Sequence, residues 1–271
     1  MHSSVKKSIP PVVAIITALA ILAALIISLR ASAEGTVLVS GNTSAGENQA
    51  GWLFGRDINT TTTYVFSHDK ASLGIGSLYV GPITNTNAGG VGGNDPNNDK
   101  FIAEYFPESL PVASFHSFSY DYLIGAGGDM DDVDQFYVNI YANIDDSDTY
   151  YDCRFDYVAK EGSKDSFRKV VILEQDAPTN VVQSQDSRIS CPQTLQQMPA
   201  GSHIRAIALN VGDTTDADTG LDAYIDNVEL ALIGDATTFD FEPRPRTKED
   251  CSGDKWKQYR FRNQGQCVKS I

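Results

Sequence analysis

A stripe of tyrosine and asparagine side chains has the clearest binding chemistry in this sequence. Between residues 135 and 144, Tyr137, Asn139, Tyr141 and Asn143 alternate with apolar residues. Alternate residues of a strand point to opposite faces, so these four side chains should share one solvent-facing stripe. Aromatic rings stack on sugar rings, and amides bond to sugar hydroxyls. The stripe therefore predicts a carbohydrate-binding face, and an ordinary outer strand face is the alternative.

Neighbouring strands could extend this stripe with further polar and aromatic side chains, namely Tyr120, Tyr122, Asp152, Arg154 and Asp156. Of these we predict Arg154 as a ligand-binding residue, because a guanidinium donates several hydrogen bonds in a fixed geometry.

Catalytic motifs are missing from the sequence. It contains neither Gly-x-Ser-x-Gly nor His-Glu-x-x-His, and its histidines lie scattered between predicted strands. We therefore predict that the protein is not an enzyme. A jelly-roll glycoside hydrolase or lyase stays open as an alternative, because a catalytic carboxylate pair is defined by its spacing in three dimensions.

The N-terminus has the features of an export signal. Lys6 and Lys7 precede an apolar run of 18 residues, 12–29, and a small-x-small site ends at Ala33. This pattern predicts a signal peptide, residues 1–33, cleaved after Ala33. The run is also just long enough to span a bilayer, so an uncleaved N-terminal anchor is the alternative. Both interpretations place the rest of the chain outside the cytoplasm, and neither predicts another membrane segment.

The four cysteines fit an exported protein. None belongs to a Cys-x-x-Cys pair, so zinc and thiol redox chemistry have little support. Four cysteines allow three pairings, and proximity along the chain favours Cys153 with Cys191 and Cys251 with Cys267.

Charge divides the chain into two parts. Residues 34–243 carry 10 Lys and Arg against 32 Asp and Glu, whereas residues 244–271 carry 8 against 3. An acidic body excludes nucleic acid as a partner, since phosphate contacts need a basic surface. We predict a domain at 34–233, a linker at 234–250 and a basic tail at 251–271. The tail would dock on the acidic body or attach to an anionic wall polymer, and its position behind a linker favours attachment.

The body is predicted to be all-β. Short runs rich in β-branched and aromatic residues alternate with Gly, Asn, Asp and Pro clusters, and no long helical period occurs. Ten strands in about 200 residues predict a two-sheet antiparallel β-sandwich of jelly-roll type, with a small disulfide-stapled extension. The predicted strands are 36–39, 62–66, 77–80, 101–106, 117–123, 135–144, 152–158, 169–173, 204–211 and 223–232.

Three segments, "AGWLFGRD", "ASLGIGSLYVG" and "AYIDNVELAL", occur in the order seen in secreted jelly-roll carbohydrate-binding modules of the galactose-binding-like group. The resemblance covers roughly residues 36–232. It implies a structural calcium ion bound by the Asp of the last segment, here Asp226. It also implies further ligands near the first strand, where Glu47 is the candidate, although no Asn-x-Phe-Glu pattern surrounds it.

The residues themselves are compatible with this calcium site. Asp226 alternates in phase with Val228 and Leu230, so its carboxylate should face the core, where a charge needs a partner or a metal. An Asp hydrogen-bonded to a loop at the sheet rim is the alternative. Two further acidic clusters, 129–134 and 213–222, lack the glycine that an EF-hand loop needs at its sixth position and are expected to be solvated turns, with a second, weaker calcium site as the alternative.

The tail has a second resemblance. Its sequence Asn263-Gln264-Gly265-Gln266-Cys267-Val268 is similar to a short cysteine-bracketed cap on exported bacterial proteins, which implies a bacterial origin. We therefore predict a secreted, non-catalytic β-sandwich that binds a polysaccharide or another cell-envelope partner, stabilised by calcium. A structural or adhesive surface protein attached through its tail is the alternative.

Overall fold

The computed structural model describes residues 35–39, 48–55, 64–84, 101–108, 110–125, 136–144, 150–159, 166–185, 187, 189–212, 219–245, 247–259 and 261–269. In these ranges, no helix is long and apolar enough to cross a membrane. Several predictions lie outside the described residues: the signal peptide or anchor at 1–33, the calcium ligand Glu47, and the acidic residues 129–134 and 213–218.

The described residues form two β-sheets. The seven strands of sheet 1 are β1 (Gly35–Val39), β4 (Tyr64–Ser67), β5 (Ser77–Thr84), β8 (Phe115–Ile124), β11 (Arg168–Leu173), β14 (Thr219–Leu232) and β15 (Asp235–Phe241). The eight strands of sheet 2 are β2 (Asn48–Gln49), β3 (Trp52–Phe54), β6 (Phe101–Tyr105), β7 (Leu110–Pro111), β9 (Phe136–Asn143), β10 (Cys153–Val158), β12 (Asn180–Gln183) and β13 (His203–Val211). All ten predicted strands are present, and the two-sheet sandwich is confirmed. The pairing of β1 with β15 is parallel, whereas every other described strand pair is antiparallel.

Strand β14 is central to sheet 1 and changes its partner along one edge. On one side it pairs with β8, and on the other side residues 219–225 pair with β5 and residues 228–232 pair with β15. The change falls at Asp226 and Asn227, where the register with β8 shifts and Asn227 adopts a φ of +48°. Asparagine tolerates this left-handed conformation better than most residues.

The two sheets pack through a cluster of aromatic side chains. Trp52 of β3 is fully buried and meets Phe239 and Phe241 of β15 edge to face, with ring centroids 5.4 Å apart in both pairs. Such pairs add about 0.5–1.5 kcal/mol beyond the burial of apolar area. The last strand of sheet 1 is thus joined to sheet 2 through the core.

This packing corrects one domain boundary. Residues 234–250 are expected to be a linker, but Asp235–Phe241 form β15, which pairs with both β14 and β1. The reason is the alternation of Thr237, Phe239 and Phe241, which gives β15 an apolar inner face. The sandwich therefore extends at least to Phe241.

The C-terminal cap, residues 247–269, is a small unit of short helical turns. It contains 3-10 turns at Lys248–Cys251 and Lys255–Tyr259 and an α-helix at Gln264–Lys269. Cys251 and Cys267 are buried and disulfide-bonded, and the second bond joins Cys153 to Cys191. This is the pairing that proximity along the chain favours.

The cap is in contact with the body of the protein. The ring of Tyr259 packs edge to face against His68, with centroids 5.0 Å apart. Beside this contact is a cavity of about 380 Å³, whose lining includes Leu38 and Ile75 of the body and Tyr259 and Phe261 of the cap.

The role of β15 in the core gives a testable prediction. Replacing the fully buried Phe241 by alanine should lower the free energy of unfolding by about 3–5 kcal/mol, since it removes a buried aromatic ring and leaves a cavity. Urea denaturation measures this change. Ile233→Ala is the control, because Ile233 is 71% exposed and its loss should change stability by less than about 0.5 kcal/mol. A Phe241 variant as stable as the control would mean that the segment is a linker after all.

Candidate functional site

The predicted Tyr/Asn stripe lies on the outer face of sheet 2. In β9, Val138 and Ile140 are fully buried in the core, and Tyr137, Asn139 and Tyr141 point to the opposite side. The two tyrosines are partly exposed, whereas Asn139 is only 6% exposed. The outer side chains are therefore packed among neighbours on this face.

Asn139 belongs to a chain of hydrogen bonds that crosses three strands. The guanidinium of Arg154 donates through Nε and Nη2 to both carboxylate oxygens of Asp156, at 2.7 and 2.9 Å. Asn139 Nδ2 donates to Asp156 Oδ1 at 2.7 Å, and Asn210 Nδ2 donates to Asn139 Oδ1 at 2.8 Å. A bidentate pair supported by two amides is held in one geometry.

The charge of Arg154 is secured by this arrangement. Burial alone would lower the pKa of its guanidinium, but the hydrogen bond and the charge of Asp156 more than offset it, so the pKa is raised. The pair remains partly open to solvent, with 30% of the Arg154 side chain and 13% of the Asp156 side chain exposed.

Three tyrosine rings form the second part of the site. Tyr141 packs against Tyr150 and Tyr151, with ring centroids 5.0 and 5.3 Å apart. Tyr150 is 39% exposed, and its hydroxyl donates to a carboxylate oxygen of the buried Glu104 on β6. Burial raises the pKa of Tyr141 to about 12, so it stays a neutral hydrogen-bonding group at physiological pH.

Small residues on β13 pack beneath these groups. Ala206 lies opposite Tyr141, and Ala208 lies between Asn139 on one neighbouring strand and Glu104 on the other. Directly opposed residues share a face of the sheet, and the alanines are 0% and 1% exposed, so the larger side chains of this face cover them. We call Asn139, Tyr141, Tyr150, Tyr151, Arg154, Asp156 and Asn210 the polar face.

Some predicted members of the stripe have other places in the structure. Asn143 is fully buried, and its Oδ1 accepts a hydrogen bond from the backbone N–H of Asp152 at 2.8 Å. The Asp152 carboxylate accepts from the N–H of Ile144 at 2.9 Å, so this pair closes the β9–β10 hairpin. Tyr120 and Tyr122 lie in the core, with 1% and 2% of their surface exposed, because β8 turns them inward. The expectation that these two line the binding face is wrong.

Sequence reasoning missed Tyr150, Tyr151 and Asn210. The adjacent tyrosines precede β10 directly, and their position beside the stripe follows only from the hairpin that brings β9 and β10 together. The adjacent pair Tyr150 and Tyr151 was the stronger of two signals in the sequence. Asn210 offered a weaker one, as the single amide among the apolar residues of β13.

A second cluster of polar groups surrounds the predicted calcium residue. Asp226 is fully buried, and its Oδ2 accepts from the N–H groups of Ser72 and Leu73 at 2.9 and 2.7 Å. Its Oδ1 accepts from the N–H of Asn227 at 2.7 Å. The predicted burial of Asp226 is confirmed, and the loop bonding matches the alternative interpretation of this residue.

Neighbouring acids bind the same loop. Glu242 Oε1 accepts from the N–H of Ile75 at 2.6 Å. Gly74 has a φ of +74°, and a Cβ at this position would lie 1.6 Å from Glu242 Oε1, so only glycine fits. Asp121 Oδ2 accepts from Ser72 Oγ and from Asn227 Nδ2.

These contacts bear on the fit of a calcium ion. Calcium takes six to eight oxygen ligands, whereas Asp226 directs its oxygens at N–H donors. Among the residues that the structure describes, no three His, Cys, Asp or Glu side chains form a group that could hold a metal ion. The described side chains do not by themselves make a calcium site. Calcium binding at Asp226 stays a prediction from the resemblance.

Among known proteins, this chain shows similarity to solved structures alone. No protein-family model and no curated protein matches this chain. A family 11 carbohydrate-binding module from Clostridium thermocellum, in complex with a β-1,3-1,4-mixed-linked tetrasaccharide, is 12% identical, covers 70% of this chain and 93% of its own, and has a TM-score of 0.43. A xylan-binding CBM22 domain from Paenibacillus barcinonensis is 12% identical with coverages of 70% and 91% and a TM-score of 0.37. A CBM28 module specific for non-crystalline cellulose is 11% identical with coverages of 72% and 98% and a TM-score of 0.38. Values this low transfer neither a ligand nor a residue role to this chain.

The environment of Asp226 gives a pH-dependent prediction. Burial and the charge of Asp240 raise its pKa to about 6, despite the three backbone N–H bonds that lower it. The folded state therefore binds the proton more tightly than the unfolded state, whose Asp pKa is about 3.9. Stability should fall as pH rises from about 4 to 6, by on the order of 2–3 kcal/mol from this group.

Denaturation at several pH values in the presence of a chelator measures this fall. Asp226→Asn should flatten it, whereas Asp69→Asn, at an exposed acid, should leave it unchanged. If calcium binds, the free energy of unfolding at neutral pH should increase by about 2.7 kcal/mol when the calcium concentration is about 100 times its Kd. A stability that responds to neither pH nor calcium through Asp226 would contradict both expectations.

Proposed function

We propose that this protein is a non-catalytic carbohydrate-binding protein that holds a polysaccharide on its polar face. The observation that carries the proposal is the juxtaposition of three tyrosine rings with a solvent-accessible Arg154–Asp156 pair. Sugars present both an apolar ring face and hydroxyl groups, and this surface offers partners for both.

Each part of the polar face has a distinct task in this proposal. The exposed ring of Tyr150 stacks on a sugar ring, and Tyr141 and Tyr151 support it from below and from the side. Arg154 donates to sugar hydroxyls, while Asp156 accepts from them. Asn139 and Asn210 hold the charged pair in place, so little side-chain freedom is lost on binding.

The same contacts favour binding without catalysis. Glycoside hydrolysis needs two carboxyl groups placed across the scissile bond, one of them as a proton donor. On the polar face, Asp156 is held by the guanidinium of Arg154, and Glu104 accepts a hydrogen bond from Tyr150. Both carboxylates thus have positioning partners, and we propose no reaction at this face.

The proposed setting is outside the cytoplasm. Two disulfide bonds are typical of exported domains, in agreement with the export signal in the sequence. A secreted or surface-held binder of polysaccharide is the function that follows, with N-terminal anchoring as the alternative to release.

Removal of the stacking platform is the direct test. Tyr150→Ala should weaken retention by a soluble polysaccharide by about tenfold, the loss of about 1.4 kcal/mol of stacking and burial. Affinity electrophoresis in mixed-linked β-glucan and in xylan, with pull-down on amorphous cellulose, measures retention. The matched control is Tyr224→Ala, because Tyr224 packs against Tyr79 on the outer face of the other sheet, with centroids 5.2 Å apart.

The melting temperature of both variants decides how the result is interpreted. A folded Tyr150→Ala protein that is retained like the wild type would contradict the proposal. Equal losses in the Tyr150 and Tyr224 variants would place binding elsewhere. A wild-type protein retained by no polysaccharide would leave the structural or adhesive interpretation in its place.

We further propose that the cap attaches the protein to an anionic wall polymer. Tyr259 and Phe261 face the body, while Lys248, Lys255 and Lys269 are exposed. Among the described residues, these three lysines form no ion pair, whereas Lys257 pairs with Asp254 at 3.0 Å. The cap thus combines docking on the body with cations that remain open to a partner.

Charge and packing can be separated by two variants of the cap. Changing Lys248, Lys255 and Lys269 together to Gln should reduce binding to isolated cell walls and leave the melting temperature unchanged, because exposed charges add little stability. Tyr259→Ala should lower the melting temperature and keep wall binding. Wild-type binding should weaken as salt rises from about 0.1 M to 1 M, where the screening length falls from ~10 Å to ~3 Å. Unchanged wall binding by the triple variant would contradict attachment through the cap.

A further inference from the structure

A cavity opens at the side of the sandwich, away from the polar face. Its volume is about 500 Å³, within the range of small-molecule sites. It lies between edge strand β11 of sheet 1 and the β10 and β12 side of sheet 2. Its lining mixes apolar and polar groups, among them Tyr157, Ala159, Val170, Asp176 and Thr179.

One wall of this cavity is the open backbone edge of β11. Within the described residues β11 pairs only with β8. The N–H of Glu174 donates to the carbonyl of His116 at 3.3 Å, and this fixes which residues bond to β8. Since antiparallel pairs alternate, the even-numbered residues bond to β8 and the odd-numbered ones point away.

The outward groups of this edge are few and defined. The outward N–H and carbonyl of Leu173 are both hydrogen-bonded to Asp176. The Leu173 N–H donates to Asp176 Oδ2 at 2.8 Å, and the backbone N–H of Asp176 donates to the Leu173 carbonyl at 3.0 Å. Lys169 and Val171 remain, and both line the cavity. Each presents one N–H donor and one carbonyl acceptor.

Tyr157 is a second, independent pointer to a ligand. It lines the cavity and is only 7% exposed, yet its hydroxyl has no hydrogen-bond partner among the described residues. Burial, reinforced by the charge of Asp176, raises the pKa of Tyr157, so its hydroxyl keeps its proton and can donate. A buried polar group without a partner is costly, and a ligand oxygen would satisfy it.

We propose that this side cavity binds one sugar residue of the polysaccharide, as a site additional to the polar face. This inference rests on the proposed function. Sugar hydroxyls both donate and accept, as do the backbone groups of Lys169 and Val171 and the hydroxyl of Tyr157. The C–H face of the sugar packs against Val170 and the neighbouring aliphatic side chains. An added peptide strand fits less well, because only two of the described residues of this edge have open backbone groups.

The two sites lie on either side of the same sheet edge. In β10, Asp156 points to the polar face and Tyr157 points inward toward the cavity. Asn180 Nδ2 donates to Asp156 Oδ2 at 3.3 Å, while the preceding residue, Thr179, lines the cavity. A chain end or side branch of a glycan held at Asp156 therefore passes around this edge to reach the cavity.

The test removes a single oxygen atom. Tyr157→Phe should weaken binding to soluble mixed-linked β-glucan or xylan by about tenfold, the equivalent of one buried hydrogen bond. Its melting temperature should stay equal to that of the wild type or rise, since the deleted hydroxyl has no hydrogen-bond partner among the residues that the structure describes. Tyr120→Phe is the matched control: within the described part of the chain its hydroxyl is also buried without a partner, and Tyr120 does not line the cavity.

A second variant tests the backbone edge. Val171→Pro removes one outward N–H and no bond to β8, a change that edge strands accommodate. It should weaken binding without unfolding the protein. Titration calorimetry with the polymer and with its oligosaccharides measures both variants.

Four outcomes separate this inference from the proposed function. If Tyr157→Phe weakens binding and Tyr120→Phe does not, the side cavity is supported. This holds even if Tyr150→Ala binds normally, a result that would contradict binding at the polar face. Tyr157→Phe binding like the wild type, with Tyr150→Ala impaired, overturns the side cavity and leaves the proposed function standing. Equal losses in the Tyr157 and Tyr120 variants overturn it as well. A wild-type protein that binds no polysaccharide overturns both.

Discussion

The carboxylate of Asp226 holds the point at which the longest strand changes its partner. The residues of β14 before Asp226 pair with β5, and those from Val228 onward pair with β15. We call this change of partner the fork. At the fork the regular hydrogen bonds between strands are interrupted, and the backbone N–H groups of Ser72 and Leu73 donate to the carboxylate of Asp226 instead. The placement of β15 depends on this fork, because β15 pairs with the part of the β14 edge that β5 leaves open.

The placement of β15 in turn completes the core. Its phenylalanines close over Trp52 of the opposite sheet, and its parallel neighbour β1 depends on it entirely for strand pairing among the described residues. The acids of this region, Asp121, Asp226, Asp240 and Glu242, are each less than a tenth exposed. So many buried carboxylates in one place are costly, and backbone N–H groups offset part of that cost. Because burial raises the pKa of Asp226, we expect the stability of the sandwich to depend on the protonation of this carboxyl.

In sheet 2, strand β10 contributes side chains to two different surfaces. The alternation in β10 sends Arg154 and Asp156 outward and Phe155 and Tyr157 inward. Because β10 lies near the open side of the sandwich, its inward tyrosine reaches a cavity rather than the deep core. A polar network and a cavity thus share one edge, and both are positioned by the β9–β10 hairpin that Asn143 and Asp152 close. The disulfide from Cys153 to Cys191 ties the beginning of β10 to the segment that precedes β13.

The sequence by itself determined the all-β class, ten of the strands and the phase of β9, because a period of two in apolar residues is a local property that burial enforces. It also indicated the burial of Asp226 and the favoured disulfide pairing. It did not determine which outward residues would meet. Tyr150, Arg154 and Asn210 come together only through strand order. The inward direction of Tyr120 and Tyr122, by contrast, could have been predicted locally, because they lie in phase with Phe118 and alternate with Ser119 and Asp121. The β15 segment was mistaken for a linker, since flanking prolines and charges are local signals, whereas its pairing with β14 and β1 spans the chain. Contacts between residues distant in sequence are decided by packing of the whole sandwich, and no local pattern encodes them.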